Sequence, residues 1–145
     1  MNREQYTLTD TQASKDLAIK IASRLKGGDI ITLSGDLGSG KTYICREIIK
    51  ALCGEDTIVP SPSFNLVQIY QAKDWRIYHY DFYRLKSVEE IWELGIEEAL
   101  SGNICLIEWP EVADKILPFL RTEMELSWDG EVRRCIIQYR ETEAS

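Results

Sequence analysis

The first half of the chain alternates between segments with helical and strand-like spacing of apolar residues. A capping-box pattern at Thr9 and Gln12 opens a helix that ends at the pair Gly27–Gly28. The apolar face of that helix consists of Leu17, Ala18, Ile21, Ala22 and Leu25. A short apolar strand over Asp29–Leu33 follows, and after a glycine-rich loop a second helix runs from about Lys41 to Leu52.

The remaining patterns predict an edge strand near the N-terminus and, in the second half of the chain, hairpins on either side of one buried strand. Gln5–Leu8 is a candidate edge strand near the N-terminus, and Ser61–Ser63, with its central proline, is a turn or mobile loop. The remaining predicted elements are a hairpin of Phe64–Gln71 and Trp75–Tyr83, a short helix opened by Ser87 and Glu90 and interrupted at Gly95, a strand over Asn103–Ile107, a helix or turn over Glu111–Leu117, and a hairpin of Met124–Trp128 and Glu131–Tyr139 around Asp129-Gly130.

This order of elements predicts the fold class. Alternating strands and helices followed by hairpins are typical of an α/β fold, here a three-layer sandwich with a mixed, mainly parallel central sheet plus antiparallel hairpins. We expect the parallel part to contain the strands ending at Ser34 and Glu108. A length of 145 residues suits one core, so residues 1–145 are predicted to form a single domain.

Composition narrows the classes of function. The net charge of −7 argues against binding nucleic acid directly by neutralising phosphates. The four cysteines include no CxxC pair, so a zinc site is not expected and the cysteines are predicted to be small buried hydrophobes in a reducing cytosol. No apolar run approaches the roughly 20 residues of a membrane helix, and Met1–Thr9 has no apolar signal segment. We therefore expect a cytoplasmic location and no membrane partner.

The segment Gly35–Thr42 carries the most specific chemistry. Its sequence, GDLGSGKT, fits the pattern G-x-x-x-x-G-K-[ST] between an apolar strand and an amphipathic helix. Glycines let the backbone turn its N–H groups toward a polyanion, and the helix N-terminus adds unpaired donors. Lys41 supplies a positive charge and the Thr42 hydroxyl can ligate Mg²⁺. The predicted phosphate-binding residues are Gly38, Ser39, Gly40, Lys41 and Thr42, which makes the fold P-loop NTPase-like with ATP and Mg²⁺ as cofactors. The absence of an N-K-x-D guanine motif favours ATP over GTP.

Two carboxylates are candidates to complete this site. Glu108 ends the apolar run Ile104–Ile107, where P-loop enzymes place an acid that holds Mg²⁺ or its water; the usual acid is Asp, and the alternative is a surface carboxylate. Asp81 is the candidate for the water or the magnesium shell, with a salt bridge to Arg84 or a strand-end cap as the alternative.

Neighbouring polar residues give weaker signals. His79 and Asp81 share one face of their strand, but a lone histidine on an aromatic strand is more often structural. Ser61 and Ser63 can act as a switch loop that senses the γ-phosphate, or form a plain turn.

Five stretches of the sequence together resemble the TsaE (YjeE) family, the small ATPase of bacterial tRNA threonylcarbamoyladenosine synthesis. They are GDLGSGKT at 35–42, SPSFNLVQIY at 61–70, YHYDFYRL at 78–85, ELGIEE at 93–98 and CLIEWPE at 105–111. The phosphate loop alone is common to many families, whereas its combination with the other stretches is much more specific. The spacing and the total length agree with the family.

The resemblance implies an ATP-hydrolysing accessory subunit. It would join TsaD-like and TsaB-like subunits, meet tRNA only through that complex, and reset the complex between turnovers. Carried over by motif position, Lys41 and Thr42 bind phosphate and Mg²⁺, Glu108 is the magnesium-linked carboxylate, and Asp81 is required for hydrolysis. Tyr43 departs from a common threonine, although its backbone N–H can still contact phosphate. Trp109 lines the side facing the partner or the nucleotide.

Several alternatives stay open. A small P-loop kinase usually carries an Arg-rich lid, which this sequence lacks. In a nucleotide-dependent adaptor that does not hydrolyse ATP, Asp81 would be structural. Asp10 and Thr11 are weak candidates for contacts with the base, and Arg133 and Arg134 are expected to face solvent rather than the nucleotide.

Overall fold

The computed structural model describes residues 2–141, so both ends of the predicted domain 1–145 lie outside the described residues. Its elements follow the order expected from the sequence. They are β1 Asn2–Leu8, α1 Thr11–Ala22, β2 Ile30–Ser34, α2 Lys41–Cys53, β3 Val67–Gln71, β4 Arg76–Asp81, α3 Val88–Trp92, α4 Ile96–Ala99, β5 Ile104–Glu108, a 3₁₀ helix Pro110–Ala113, β6 Arg121–Asp129 and β7 Val132–Arg140.

All seven strands form one sheet with the order β1-β7-β6-β2-β5-β4-β3. The four central strands β6, β2, β5 and β4 are parallel, while β1, β7 and β3 attach antiparallel at the two sides. This arrangement confirms the mixed sheet with a parallel centre, the adjacency of the strands ending at Ser34 and Glu108, and the edge position of β1. The parallel pairing of β6 with β2 was not predicted.

The sheet is covered on both faces. Ile104 and Leu106 of β5 pack with α1 and α2, whereas Cys105 and Ile107 pack with α3, α4 and the 3₁₀ helix. Side chains alternate between the faces of a strand, so a strand covered on both sides reads as an unbroken apolar run. The three-layer architecture is therefore confirmed. None of the helices in residues 2–141 is long and apolar enough to span a membrane.

The helix ends differ from the predicted caps. Asp10, not Thr9, caps α1, because its carboxylate accepts the Ala13 N–H at 2.8 Å. The helix ends at Ala22 rather than at the glycine pair. Ser87 does precede α3, but its hydroxyl bonds the Glu90 carboxylate at 3.4 Å instead of a backbone amide. Both capping-box predictions were therefore wrong in their bonding, since Asp10 and the Glu90 side chain compete with the predicted partners.

One strand is shorter than its pattern suggested, whereas a segment predicted as a helix or turn agrees with the structure. The strand predicted from Phe64 begins only at Val67, since Leu66 has a left-handed φ of 66° and donates its N–H to the Pro62 carbonyl. A left-handed residue breaks the pleat of a strand. The prediction of a helix or turn over 111–117 is confirmed, because a 3₁₀ helix over Pro110–Ala113 is followed by turn residues 114–116 and a bend at 117.

Candidate nucleotide-binding site

The phosphate loop, Gly35–Thr42, joins the carboxyl end of β2 to α2. Gly40 caps α2 in a left-handed conformation with φ 104°, and Gly38 has φ 78°. A Cβ atom on Gly35 would lie 2.3 Å from the Leu126 carbonyl oxygen, so that position has no room for a side chain. Because no side chain of the described residues caps α2, its first N–H groups stay available to an anion.

Lys41 points back into this loop. Its ammonium donates to the carbonyls of Gly35 and Asp36, the latter at 2.9 Å, and lies 4.2 Å from the centroid of the Trp109 ring. Lys41 is only 5% exposed. Burial lowers the pKa of its ammonium, while the nearby carboxylates of Glu108 and Asp81 oppose that shift. The Lys41 ammonium is thus held inside the loop by its carbonyl oxygens.

Glu108 connects the phosphate loop to the end of β5. The Thr42 hydroxyl donates to its Oε1 at 2.7 Å, and His79 Nε2 lies 2.7 Å from its Oε2. Glu108 is 2% exposed, so the alternative of a surface carboxylate is wrong. Trp109, the next residue, has a left-handed φ of 56° that carries its ring over Lys41 and against Tyr83.

Asp81 ends the neighbouring strand β4 and lies opposite Glu108 in the parallel register. Its Oδ1 accepts the Tyr83 N–H at 2.9 Å, and its Oδ2 accepts the Ser63 hydroxyl at 3.3 Å. The strand-end cap considered from the sequence is therefore present. Arg84, the other considered partner, extends over the Phe64 ring at 5.6 Å.

These groups line one cleft of about 390 Å³. It brings together all the residues predicted for the site: Gly38, Ser39, Gly40, Lys41, Thr42, Tyr43, Asp81 and Glu108. A second cavity of about 220 Å³ continues past Ser63 and Asp81 toward Tyr83 and Arg84. The predicted switch loop and the phosphate loop therefore face each other across a shared space.

Sequence reasoning underestimated two cleft residues. Arg133, expected to face solvent, lines the cleft next to Gly40, and its guanidinium stacks 4.7 Å from the Trp128 ring. Thr11, a weak candidate for a contact with the base, also lines the cleft. Asp10, the other such candidate, caps α1, and Arg134 pairs with Asp129. The hairpin turn at Asp129-Gly130 was recognisable from the sequence, but only the tertiary structure, which places Arg133 beside Gly40, shows that Arg133 faces the loop.

The donor set fits a magnesium nucleotide. A hydroxyl and a carboxylate are hard oxygen ligands of the kind Mg²⁺ takes, and glycine-rich amides with one lysine suit a polyphosphate. Cys45 Sγ also lies within 4.8 Å of donor atoms of His79 and Glu108. Burial raises the pKa of that thiol well above its ordinary value, which keeps it protonated and a poor ligand for a soft metal.

Comparisons with known proteins identify the family and the fold of the chain. The family model described as "Threonylcarbamoyl adenosine biosynthesis protein TsaE" matches residues 8–136. A tRNA threonylcarbamoyladenosine biosynthesis protein TsaE of Rickettsia conorii is 52% identical over 134 residues, covering 91% of this chain and 76% of the relative. The protein of that name from Bacillus subtilis is 32% identical over 135 residues, covering 92% and 84%. In fold, the chain resembles the crystal structure of Bacillus subtilis YdiB, with a TM-score of 0.76 at 24% identity over 95% of this chain and 86% of the other.

Proposed function

Because this chain belongs to the TsaE family, whose named members are tRNA threonylcarbamoyladenosine biosynthesis proteins, we propose that it is the ATP-binding and hydrolysing subunit of that system. It acts as an accessory to the complex that forms threonylcarbamoyladenosine next to the anticodon, and its ATP turnover resets that complex. The observation that carries the proposal is the 2.7 Å bond between Thr42 and Glu108, which joins the phosphate loop to a carboxylate on the adjacent parallel strand.

The roles of the binding residues follow from their bonding. The amides of residues 38–43 and the Lys41 ammonium bind the phosphates. Thr42 gives its only hydroxyl proton to Glu108, so the lone pairs on its oxygen remain for a cation. Thr42 and Glu108 would together hold Mg²⁺, which supplies charge neutralisation on the phosphates when bound.

Asp81 has the position expected of a group that acts on water. It lines the cleft beside Glu108, and its two bonds to Tyr83 and Ser63 fix the plane of its carboxylate. A carboxylate oriented in this way next to the phosphates can orient a water molecule and accept its proton. Since Ser63 belongs to the loop that faces the phosphate loop, movement of that loop would change how Asp81 is held.

The partners in this proposal are TsaD-like and TsaB-like subunits, with tRNA reached only through them, and the location is the cytoplasm. The net charge of −7 supports an indirect route to tRNA, because a chain of this charge repels a polyphosphate outside its dedicated cleft.

The test combines ATP hydrolysis with reconstituted tRNA modification. Lys41→Ala should abolish Mg²⁺-dependent hydrolysis and stop multiple turnovers of modification, while Lys50→Ala, at the other end of the same helix, should leave both intact. If Lys41→Ala supports modification at the wild-type rate over many turnovers, the proposed function is wrong.

A nucleotide-dependent adaptor is the second candidate, because both oxygens of Asp81 already accept hydrogen bonds from protein groups. In that case ATP binding alone would shape an interface and Asp81 would only cap its strand. Unchanged tRNA modification by Asp81→Ala, together with unchanged ATP binding, would favour the adaptor over the ATPase.

A further inference from the structure

His79 lies directly beneath the proposed magnesium site. It precedes Asp81 by two residues on β4 and so shares its face of the strand, one step deeper in the sheet. The imidazole is 0% exposed, and its Nε2 lies 2.7 Å from Glu108 Oε2. A carboxylate accepts but does not donate, so Nε2 carries the proton of this bond.

The carboxylate of Glu108 is therefore held at both oxygens. Thr42 donates to Oε1 and His79 to Oε2, each at 2.7 Å. The two donors come from different elements, α2 and β4, while Glu108 ends β5. Two bonds of this length to opposite oxygens stop the carboxylate from rotating, and they leave Oε1 on the side of the phosphate loop.

The other nitrogen of the ring shows what this arrangement costs. His79 Nδ1 is buried and has no hydrogen-bond partner among the described residues. Burying an unpartnered polar atom is unfavourable, and an apolar side chain in the same place would avoid it. The hydrogen bond to Glu108 is therefore the reason for a polar ring at this buried position.

We propose that His79 is a positioning residue for Mg²⁺ binding. Its Nε2–H holds Glu108 in the orientation in which Oε1 accepts from Thr42, and this keeps the Thr42 oxygen turned toward the cation. The inference rests on the proposed magnesium-dependent function of the same site. It assigns a role to a histidine that the sequence pattern alone suggested was structural.

The test measures how strongly Mg²⁺ and ATP binding are coupled. The readout is the ratio of the ATP dissociation constant in EDTA to that in excess Mg²⁺, recorded with the thermal midpoint. His79→Phe keeps a ring but loses the donor, and it should reduce the ratio by at least about tenfold with EDTA binding unchanged. His79→Gln places an amide N–H near Nε2, and it should restore the ratio to within about threefold of wild type.

Tyr80→Phe is the matched control for a lost buried hydrogen bond. The Tyr80 hydroxyl donates to the Leu94 carbonyl at 3.0 Å on the opposite face of the same strand. This variant should lower the thermal midpoint and leave the ratio unchanged. A purely structural role for His79 predicts that His79→Phe behaves in the same way, and that outcome would overturn the inference.

A measurement on the wild-type protein covers the case in which His79→Phe does not fold. His79 is the only histidine of the chain, so its imidazole signals in ¹⁵N NMR need no assignment by mutation. We expect one slowly exchanging Nε2–H proton whose shift changes when Mg²⁺ is added to the ATP complex. No such change, with Mg²⁺ shown to tighten ATP binding, refutes the inference alone. A wild-type ratio close to one would instead refute the magnesium-dependent function.

Discussion

The ends of β4 and β5 carry two carboxylates side by side in register, and they are held in different ways. Glu108, at the end of β5, is bonded at 2.7 Å by side chains from two core elements. Asp81, at the end of β4, is bonded by a backbone N–H two residues away and, at 3.3 Å, by the hydroxyl of Ser63 in an irregular loop.

The difference teaches that one site can combine a fixed group with a responsive one. Glu108 is set by the packed sheet and by the first turn of α2, so its position changes only if the core changes. Asp81 depends partly on Ser63, which lies in an irregular loop next to Phe64, a side chain that is 85% exposed. This contrast fits a cation ligand at the first position and a group controlled by the loop at the second.

The largest expected effect is at the fixed carboxylate. Glu108→Gln keeps the shape but removes the charge and weakens the acceptor for Thr42. We expect Mg²⁺-dependent ATP hydrolysis to fall by about 10²–10³-fold, as when one preorganised electrostatic group is lost. Single-turnover hydrolysis measures it. Glu125→Gln is the control, because Glu125 is exposed on β6, on the other side of β2, and should retain wild-type rates. Equal rates of hydrolysis for Glu108→Gln and Glu125→Gln would show that Glu108 does not have the proposed role.

Changing the responsive carboxylate should have a smaller effect, on the rate of hydrolysis and not on ATP affinity. Asp81→Asn keeps an acceptor for the Tyr83 N–H, so the strand end stays capped. We expect the rate of hydrolysis to fall about 10²-fold through loss of the acid–base group. ATP affinity, measured by titration with Mg²⁺ present, should stay within about threefold, since no binding donor is removed. A large loss of affinity would mean that both carboxylates hold the cation, and the comparison would break.

Ser63→Ala tests the link between the loop and Asp81. It removes one partly exposed hydrogen bond, worth about 0.5–1.5 kcal/mol, so we expect hydrolysis to slow by about 2- to 10-fold. Ser61→Ala is the control in the same loop, because Ser61 reaches Asp81 only through Ser63, at 2.8 Å. An effect of Ser61→Ala larger than that of Ser63→Ala would contradict the direct contact as the cause.

The smallest effect is expected for a change in the exposed loop, measured as the free energy of unfolding. Phe64→Ala should change the free energy of unfolding in urea by no more than about 0.5 kcal/mol, because the ring lies on the exposed loop. Phe82→Ala, a matched change in the core just beyond β4, should cost about 3–5 kcal/mol. Similar costs for the two variants would show that the loop is packed as firmly as the core.

Local patterns predicted most of the elements and the place of the phosphate loop between β2 and α2. The apolar run Ile104–Ile107, bounded by Glu108, predicted a buried strand. The alternation of side chains along β4 predicted that His79 and Asp81 share one face. These predictions worked because strand alternation and the glycine-rich loop depend on neighbouring residues only. They worked less well at element ends, where Asp10 displaced Thr9 as the cap of α1.

The contacts across the sheet could not be read from the sequence. Nothing in the pattern of β4 says that Glu108, 29 residues after His79, accepts a hydrogen bond from it. Nor does local spacing show that β6 lies beside β2 and β7 beside β6, an order that brings Arg133 of β7 to the phosphate loop. Strand order and register depend on how distant apolar faces pack together, which local spacing does not encode. The sequence alone determined which residues are candidates to bind a magnesium nucleotide. The tertiary structure decided that Thr42 and Glu108 are hydrogen-bonded to each other, because only packing brings the ends of β4 and β5 to the start of α2.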